Sequence, residues 1–315
     1  MNKTARPTIR CRLAAAAVTS VLAFAAAFHG GGCDARAATT VYPSPEKALD
    51  AFRSAVMSEG NQGLIALFGP EHQADLVGGD PAEARLALQQ LRAGIARGLS
   101  LVPAGPDQMT VVIGNQGWPM PIPLVKGADG WTFDVAAGIE EITDRRIGNH
   151  ELAAIALCRA YLAAQVEYAA SDHDGDQVLE YAQKLASTPG QQDGLYWQES
   201  ASAGPSPFGP MAASAEEYLG QRKAGEPYRG YHYRILTSQG ATPPGGKYDY
   251  VINGNMIAGY ALLAWPADYG RSGIMTFQCS HQGTVFEKNL GENTARLAAA
   301  ITAYDPDKSW EAVAE

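Results

Sequence analysis

Residues 151–168 read ELAAIALCRAYLAAQVEY. No proline or glycine interrupts them, and alanine and leucine dominate, so the segment predicts a long helix. Leu152, Ile155, Leu162 and Val166 recur at helical spacing and define the expected core face. Beyond residue 230 the chain turns to β-rich segments: Tyr231 to Leu236, Tyr248 to Ile252, Met256 to Trp265, Ile274 to Cys279 and Thr284 to Glu287. Asn253-Gly254 is a hairpin signal, and His281-Gln282-Gly283 supplies another tight connection. A long helix packed on an antiparallel meander is the economical arrangement. A last helix is expected over Glu292 to Ala303.

The preceding region repeats the plan on a smaller scale. Ser44-Pro45 and Asp80-Pro81 are cap-then-proline starts, the first for a helix carrying Ala48, Phe52, Ala55 and Val56, the second for one reaching about Leu99. A short helix with Leu64, Ile65, Leu67 and Phe68 ends at Gly69-Pro70. Strand-like segments follow at Met109 to Ile113, Ile122 to Val125 and Trp131 to Val135. Helices followed by a small curved antiparallel sheet give an α+β fold class for both units, with expected domains at 41–147 and 148–315.

The first 37 residues read as a signal peptide. Lys3, Arg6, Arg10 and Arg12 precede an uncharged, alanine-rich run from Leu13 to Phe28, and Ala35-Arg36-Ala37 fits a small-x-small cleavage site. Gly30-Gly31-Gly32-Cys33 offers lipoprotein processing at Cys33 as an alternative, and an uncleaved signal anchor is a third. The expected localisation is periplasmic or extracellular, with membrane contact only through such an anchor or a lipidated Cys33. Five of the 24 basic residues and one of the 33 acids lie in this segment, leaving 19 against 32 and a net charge of -13. So acidic a chain excludes nucleic acid as a partner. Cys158 and Cys279 remain, as a candidate disulfide or as two buried thiols.

Several segments carry a family resemblance. Trp118 to Lys126 precedes Gly130-Trp131-Thr132-Phe133-Asp134, and Arg145-Arg146-Ile147-Gly148 leads into Asn149-His150-Glu151. Asp193-Gly194-Leu195-Tyr196-Trp197 and Tyr260 to Pro266 follow. Together they resemble the exported bacterial proteins grouped as domain of unknown function 2950. That resemblance spans nearly the whole chain after the leader and implies no activity. The N-terminal unit looks like the cone fold of nuclear-transport-factor-2-like proteins. The second unit is similar to type IV pilin-like and pseudopilin-like modules: Asn149 to Ile155, Ala164-Gln165 and Tyr168 match the amphipathic half of a pilin helix. Gly230 to Tyr233, Ala264-Trp265-Pro266 and Gly270 to Phe277 match its first strands. A pilin helix begins in the membrane, whereas this one follows another folded unit.

Among candidate sites, Asp172, Asp174 and Asp176 alternate in a short acidic loop, with Glu180 four residues further on. Converging carboxylates suit a hard cation such as Ca2+. Gln177 and Gln183 stand where an EF-hand has glycine and glutamate, so the site would be abbreviated, completed by Glu180, the Val178 carbonyl and Asp193. The competing account is a solvated turn in which Gly175 permits the bend. His150-Glu151 begins a zinc-protease pattern, but Ala154 occupies the position of its second histidine, too few ligands for catalytic zinc. The sequence contains no G-x-S-x-G elbow. Tyr196, Trp197 and Trp118 are candidate interface aromatics, against loop-pinning and edge-strand readings. The expectation is therefore a non-enzymatic binding, assembly or scaffold protein with unidentified envelope partners. The alternative is an enzyme or small-ligand binder using a cavity in the N-terminal unit.

Overall fold

A computed structural model describes residues 40–78, 80–200, 204–209 and 226–314. The leader, with Cys33, lies outside the described residues. Helices α1 (Pro45–Met57), α2 (Gln62–Phe68), α3 (Gln73–Val77) and α4 (Pro81–Arg97) come first. Their starts follow from the sequence. The Ser44 hydroxyl accepts from Lys47 N at 3.4 Å, and Asp80 Oδ1 accepts from Ala82 N and Glu83 N at 2.9 and 3.3 Å. Strands β1 (Leu99–Gly105), β2 (Gln108–Ile113), β3 (Trp118–Pro119), β4 (Leu124–Lys126) and β5 (Trp131–Phe133) make one antiparallel sheet. Its order is β1-β2-β4-β5, with β3 also paired to β2. The space between helices and sheet is filled by Phe52, Phe68 and Phe133, whose rings lie 5.4–6.2 Å apart, together with Val56, Val111 and Leu124.

Helix α5 (Val135–Tyr168) joins the two halves, and its N-cap Asp134 accepts from Ala137 N at 3.1 Å. The second sheet runs β14-β13-β12-β11-β6, antiparallel throughout. Its strands are β6 (Tyr231–Leu236), β11 (Ala261–Pro266), β12 (Met275–Ser280), β13 (Val285–Asn289) and β14 (Glu311–Ala312). Residues Ala261, Leu262, Leu263 and Ala264 are all fully buried. Successive strand residues face opposite ways, so both faces of β11 are covered. Two small ribbons flank this sheet: β7 (Ser238–Gln239) with β8 (Tyr248–Asp249), and β9 (Val251–Ile252) with β10 (Asn255–Met256). A short helix α6 (Thr294–Ala300) packs on β11. The α+β class and the helix-on-meander arrangement therefore hold.

Several details differ from the sequence expectation, three of them in and beyond α5. Helix α5 begins sixteen residues before Glu151, because Asp134 caps it and Gly138 is required where the helix crosses Ile122: a Cβ there would lie 2.9 Å from the Ile122 backbone. Its buried face is also rotated. Ala154, Leu157, Cys158, Tyr161, Ala164, Gln165 and Tyr168 are buried, while Leu152 and Val166 are 67% and 63% exposed. Small residues allow close approach, and the buried polar groups find partners: Tyr161 donates to Ala261 O at 3.1 Å. Finally, Gly259 (φ +154) breaks the segment expected as one strand from Met256 to Trp265.

Candidate functional site

The acidic loop leaves the C-terminal end of α5. Asp172, Asp174 and Asp176 are exposed, and each offers one carboxylate oxygen within 4.8 Å of the others. Backbone N–H groups shape this convergence. Asp172 accepts from Asp174 N, Gly175 N and Gln177 N at 3.2, 2.7 and 3.0 Å, Asp174 from Asp176 N at 3.2 Å, and Asp176 from Val178 N at 2.7 Å. Bonds from Gly175 and Gln177 hold the Asp172 carboxyl below its ordinary range. The loop is docked on the β9–β10 ribbon by Asn255 Nδ2 donating to Asp176 Oδ2 at 2.7 Å.

The structure brings the three aspartates together and engages the other acids elsewhere. Glu180 Oε2 accepts from Met256 N at 2.9 Å. Asp193 pairs with Lys184 at 2.5 Å and accepts from Thr188 N at 2.7 Å. Burial opposes ionisation of Asp193, yet the bonds from Lys184 and Thr188 prevail and hold it at about 2. A carboxylate lowered in the fold contributes stability above its unfolded value and loses it as pH falls through the folded one. Acidification from about 4 to about 2 should therefore free the 184–193 turn first, visible as faster amide exchange at Thr188 than at Leu262. Burial, and then Glu180, Asp193 and Asp174, push the Tyr168 hydroxyl up to about 12.

The interface aromatics separate. Trp197 is buried, donates to Gly204 O at 3.1 Å and lies 5.7 Å from the His173 ring, contacts that pin its loop to the core. Tyr196 is half-buried against the same core. Trp118 stays 46% exposed on β3, with the Arg145 guanidinium over its ring at 5.3 Å. Arg145 also pairs with Glu141 at 2.6 Å, within α5 and not at its end. Cys158 and Cys279 are free, buried thiols and no bridge joins them. Burial pushes the Cys279 thiol up.

A second cluster was not visible in the sequence. A cavity of about 640 Å³ opens where α3 and α4 meet α5 and the β11–β12 connection. His150, 4% exposed, contributes to its wall. Its Nε2 lies 2.7 Å from Glu83 Oε1 and its Nδ1 lies 2.9 Å from Ser272 O. Next to it, Glu151 Oε1 accepts from Ile274 N and Met275 N, both at 2.9 Å. The His150-Glu151 pair thus clamps the β11–β12 connection, a structural role in place of a half-built zinc motif. Arg146 donates to Asp75 O at 2.5 Å, and Arg271 pairs with Asp75 Oδ1. Burial lowers the Arg146 guanidinium from its ordinary value.

These features define an α+β protein with two antiparallel sheets, an exposed carboxylate loop and a cleft lined by charged residues of α4, α5 and the β11–β12 connection. The chain belongs to the family described as "Protein of unknown function (DUF2950)", which matches residues 39–313. No curated protein and no solved structure matches it. Among the described residues, no helix is long and apolar enough to cross a membrane.

Proposed function

We propose that the protein is exported and acts in the cell envelope as a non-enzymatic binding or assembly protein, with the Asp172–Asp176 loop as its Ca2+ site. The observation that carries the cation reading is the approach of three carboxylate oxygens within 4.8 Å on one exposed turn. Three like charges held that close repel unless a cation or solvent screens them, and Ca2+ accepts irregular oxygen cages completed by carbonyls and water. Export is supported by the basic and then alanine-rich leader, and the family match begins at residue 39, just past the small-x-small site. An anchor or a lipidated Cys33 would keep the protein on the membrane.

Two modules, 41–147 and 148–315, meet within α5 in this reading. The meander beneath a long helix is compatible with the pilin-like likeness of the second. The alternative, an enzyme or small-ligand binder using a cavity in the N-terminal unit, draws only indirect support: Glu83 of that unit pairs with His150 at the wall of a 640 Å³ cavity that the second unit also lines. Calorimetric titration with Ca2+ tests the main proposal. Wild type should bind one ion, with Asp174→Ala losing at least ten-fold in affinity and Asp50→Ala, on the exposed face of α1, unchanged. No heat with wild type, or equal heat with Asp174→Ala, sinks the site.

A further inference from the structure

The contacts that tie the N-terminal helices to the second half are strongly polar. From α3, the Asp75 carboxylate pairs with Arg271, and the Asp75 carbonyl holds Arg146 beside it on α5. From α4, Glu83 meets His150. The apolar cores on either side are separate clusters, one around Phe52 and one around Tyr161 and Leu262. Ionic contacts of this kind depend on protonation and salt in a way that apolar docking does not.

His150 is the decisive member. Both ring nitrogens face acceptors, a carboxylate at 2.7 Å and a carbonyl at 2.9 Å. A neutral imidazole has one donor and one lone pair, so it satisfies only one of them. Either the ring carries both protons, or Glu83 carries one and donates it to the ring. In both cases the Glu83–His150 pair holds one proton more than a neutral histidine beside an ionised glutamate. The ring has no room to turn away, because a Cβ on Gly230 would already lie 2.2 Å from Nδ1.

We infer that the Glu83–His150–Ser272 chain is a proton-dependent latch between the two halves, closed while the pair holds its extra proton and loosened when that proton leaves. The charged groups around the ring come from each neighbouring element: Asp80, Glu83 and Arg85 from α4, and Arg146 from α5. Asp268 and Arg271 come from the β11–β12 connection, and Glu226 from the approach to β6. The arginines stay charged across the accessible range, so the histidine–glutamate pair is the member of this cluster that can release a proton. The sign follows from proton linkage. The folded state retains a proton the open state releases, so stability is full at lower pH and declines as pH rises.

Glu83→Gln separates this latch from a merely structural contact. The glutamine amide donates to an unprotonated Nε2 while Nδ1–H still donates to Ser272 O, so a neutral ring satisfies both bonds. Thermal unfolding of the full chain between pH 5.5 and 8.0 should show wild type losing about 2–4 °C or more of midpoint. Glu83→Gln should stay flat across the same interval. Hydrogen exchange on wild type should rise with pH, beyond the intrinsic rate, at residues 73–83 and 268–274 and not at 261–264. Parallel pH curves for wild type and Glu83→Gln, a flat wild-type curve, or an exchange increase spread over the whole chain would each overturn the latch. His150→Gln is the second variant, and a pH response retained in it has the same consequence.

Discussion

Gln165→Leu is expected to lower stability by about 3–5 kcal/mol, a loss set by two orphaned backbone groups. Gln165 is fully buried in α5. Its Oε1 accepts from Ala182 N at 2.8 Å, and its Nε2 donates to Ala182 O at 2.8 Å and to Tyr161 Oη at 3.0 Å. One side-chain amide therefore plays the part of a neighbouring strand for a single residue of an otherwise irregular segment. Leucine fills nearly the same volume, so the cost arises from polarity: both backbone groups of Ala182 lose their partner in a site that water does not reach. Tyr161 retains Ala261 O and adds little. At about 2–4 °C per kcal/mol for a chain of this size, the midpoint should drop by roughly 10 °C. Because Ala182 follows Asp176 by six residues, amide exchange should rise over 176–186 and calcium heat should weaken in the same variant. A midpoint within 2 °C of wild type would show that water or a rearranged segment replaces the amide.

The elements with local punctuation were legible in the sequence. Ser44-Pro45 and Asp80-Pro81 start helices where a capping oxygen and a fixed φ require it, and Asn253-Gly254 turns the β9–β10 ribbon with φ of 54° and 97°. Long-range closeness was not legible. β1 escaped because Pro103 and Gly105 stand in it, and only pairing with β2 keeps Leu99 to Pro103 extended. The buried face of α5 was misplaced because hydrophobicity ranks Leu152 and Val166 above Cys158 and Gln165, whereas close packing and buried hydrogen bonds choose the latter. The acidic triad was legible because its three oxygens come from five consecutive residues. Glu83 and His150, 67 positions apart, carried no such signal. A histidine followed by glutamate pointed to metal chemistry, while the partners that give each its role lie on α4 and on the β11–β12 connection.

Gly230 is where that hidden cluster leaves a trace in the chain, as a glycine just before β6. Its φ of +72° lies in the left-handed region, and its α-carbon faces the His150 ring. Gly230→Ala therefore meets two penalties. The backbone conformation costs an L-residue about 1–2 kcal/mol. The new methyl would lie 2.2 Å from Nδ1 and 2.7 Å from Cε1, contacts that only displacement of the ring relieves. Displacing a 4% exposed imidazole breaks its bond to Ser272 O or to Glu83, at a further cost of about 2–3 kcal/mol for a charge-assisted, part-buried bond. The total, about 3–5 kcal/mol, should appear as a midpoint lowered by roughly 10 °C. It should come with loss of the pH response, since the ring no longer reaches both acceptors. Gly246→Ala supplies the comparison: its φ is +70°, but nothing lies within 4 Å of the added carbon, so it should show the backbone penalty alone. Equal losses in the two variants would mean that the histidine yields to the methyl at no cost, and that the close approach at Gly230 is incidental to the way the two halves are held.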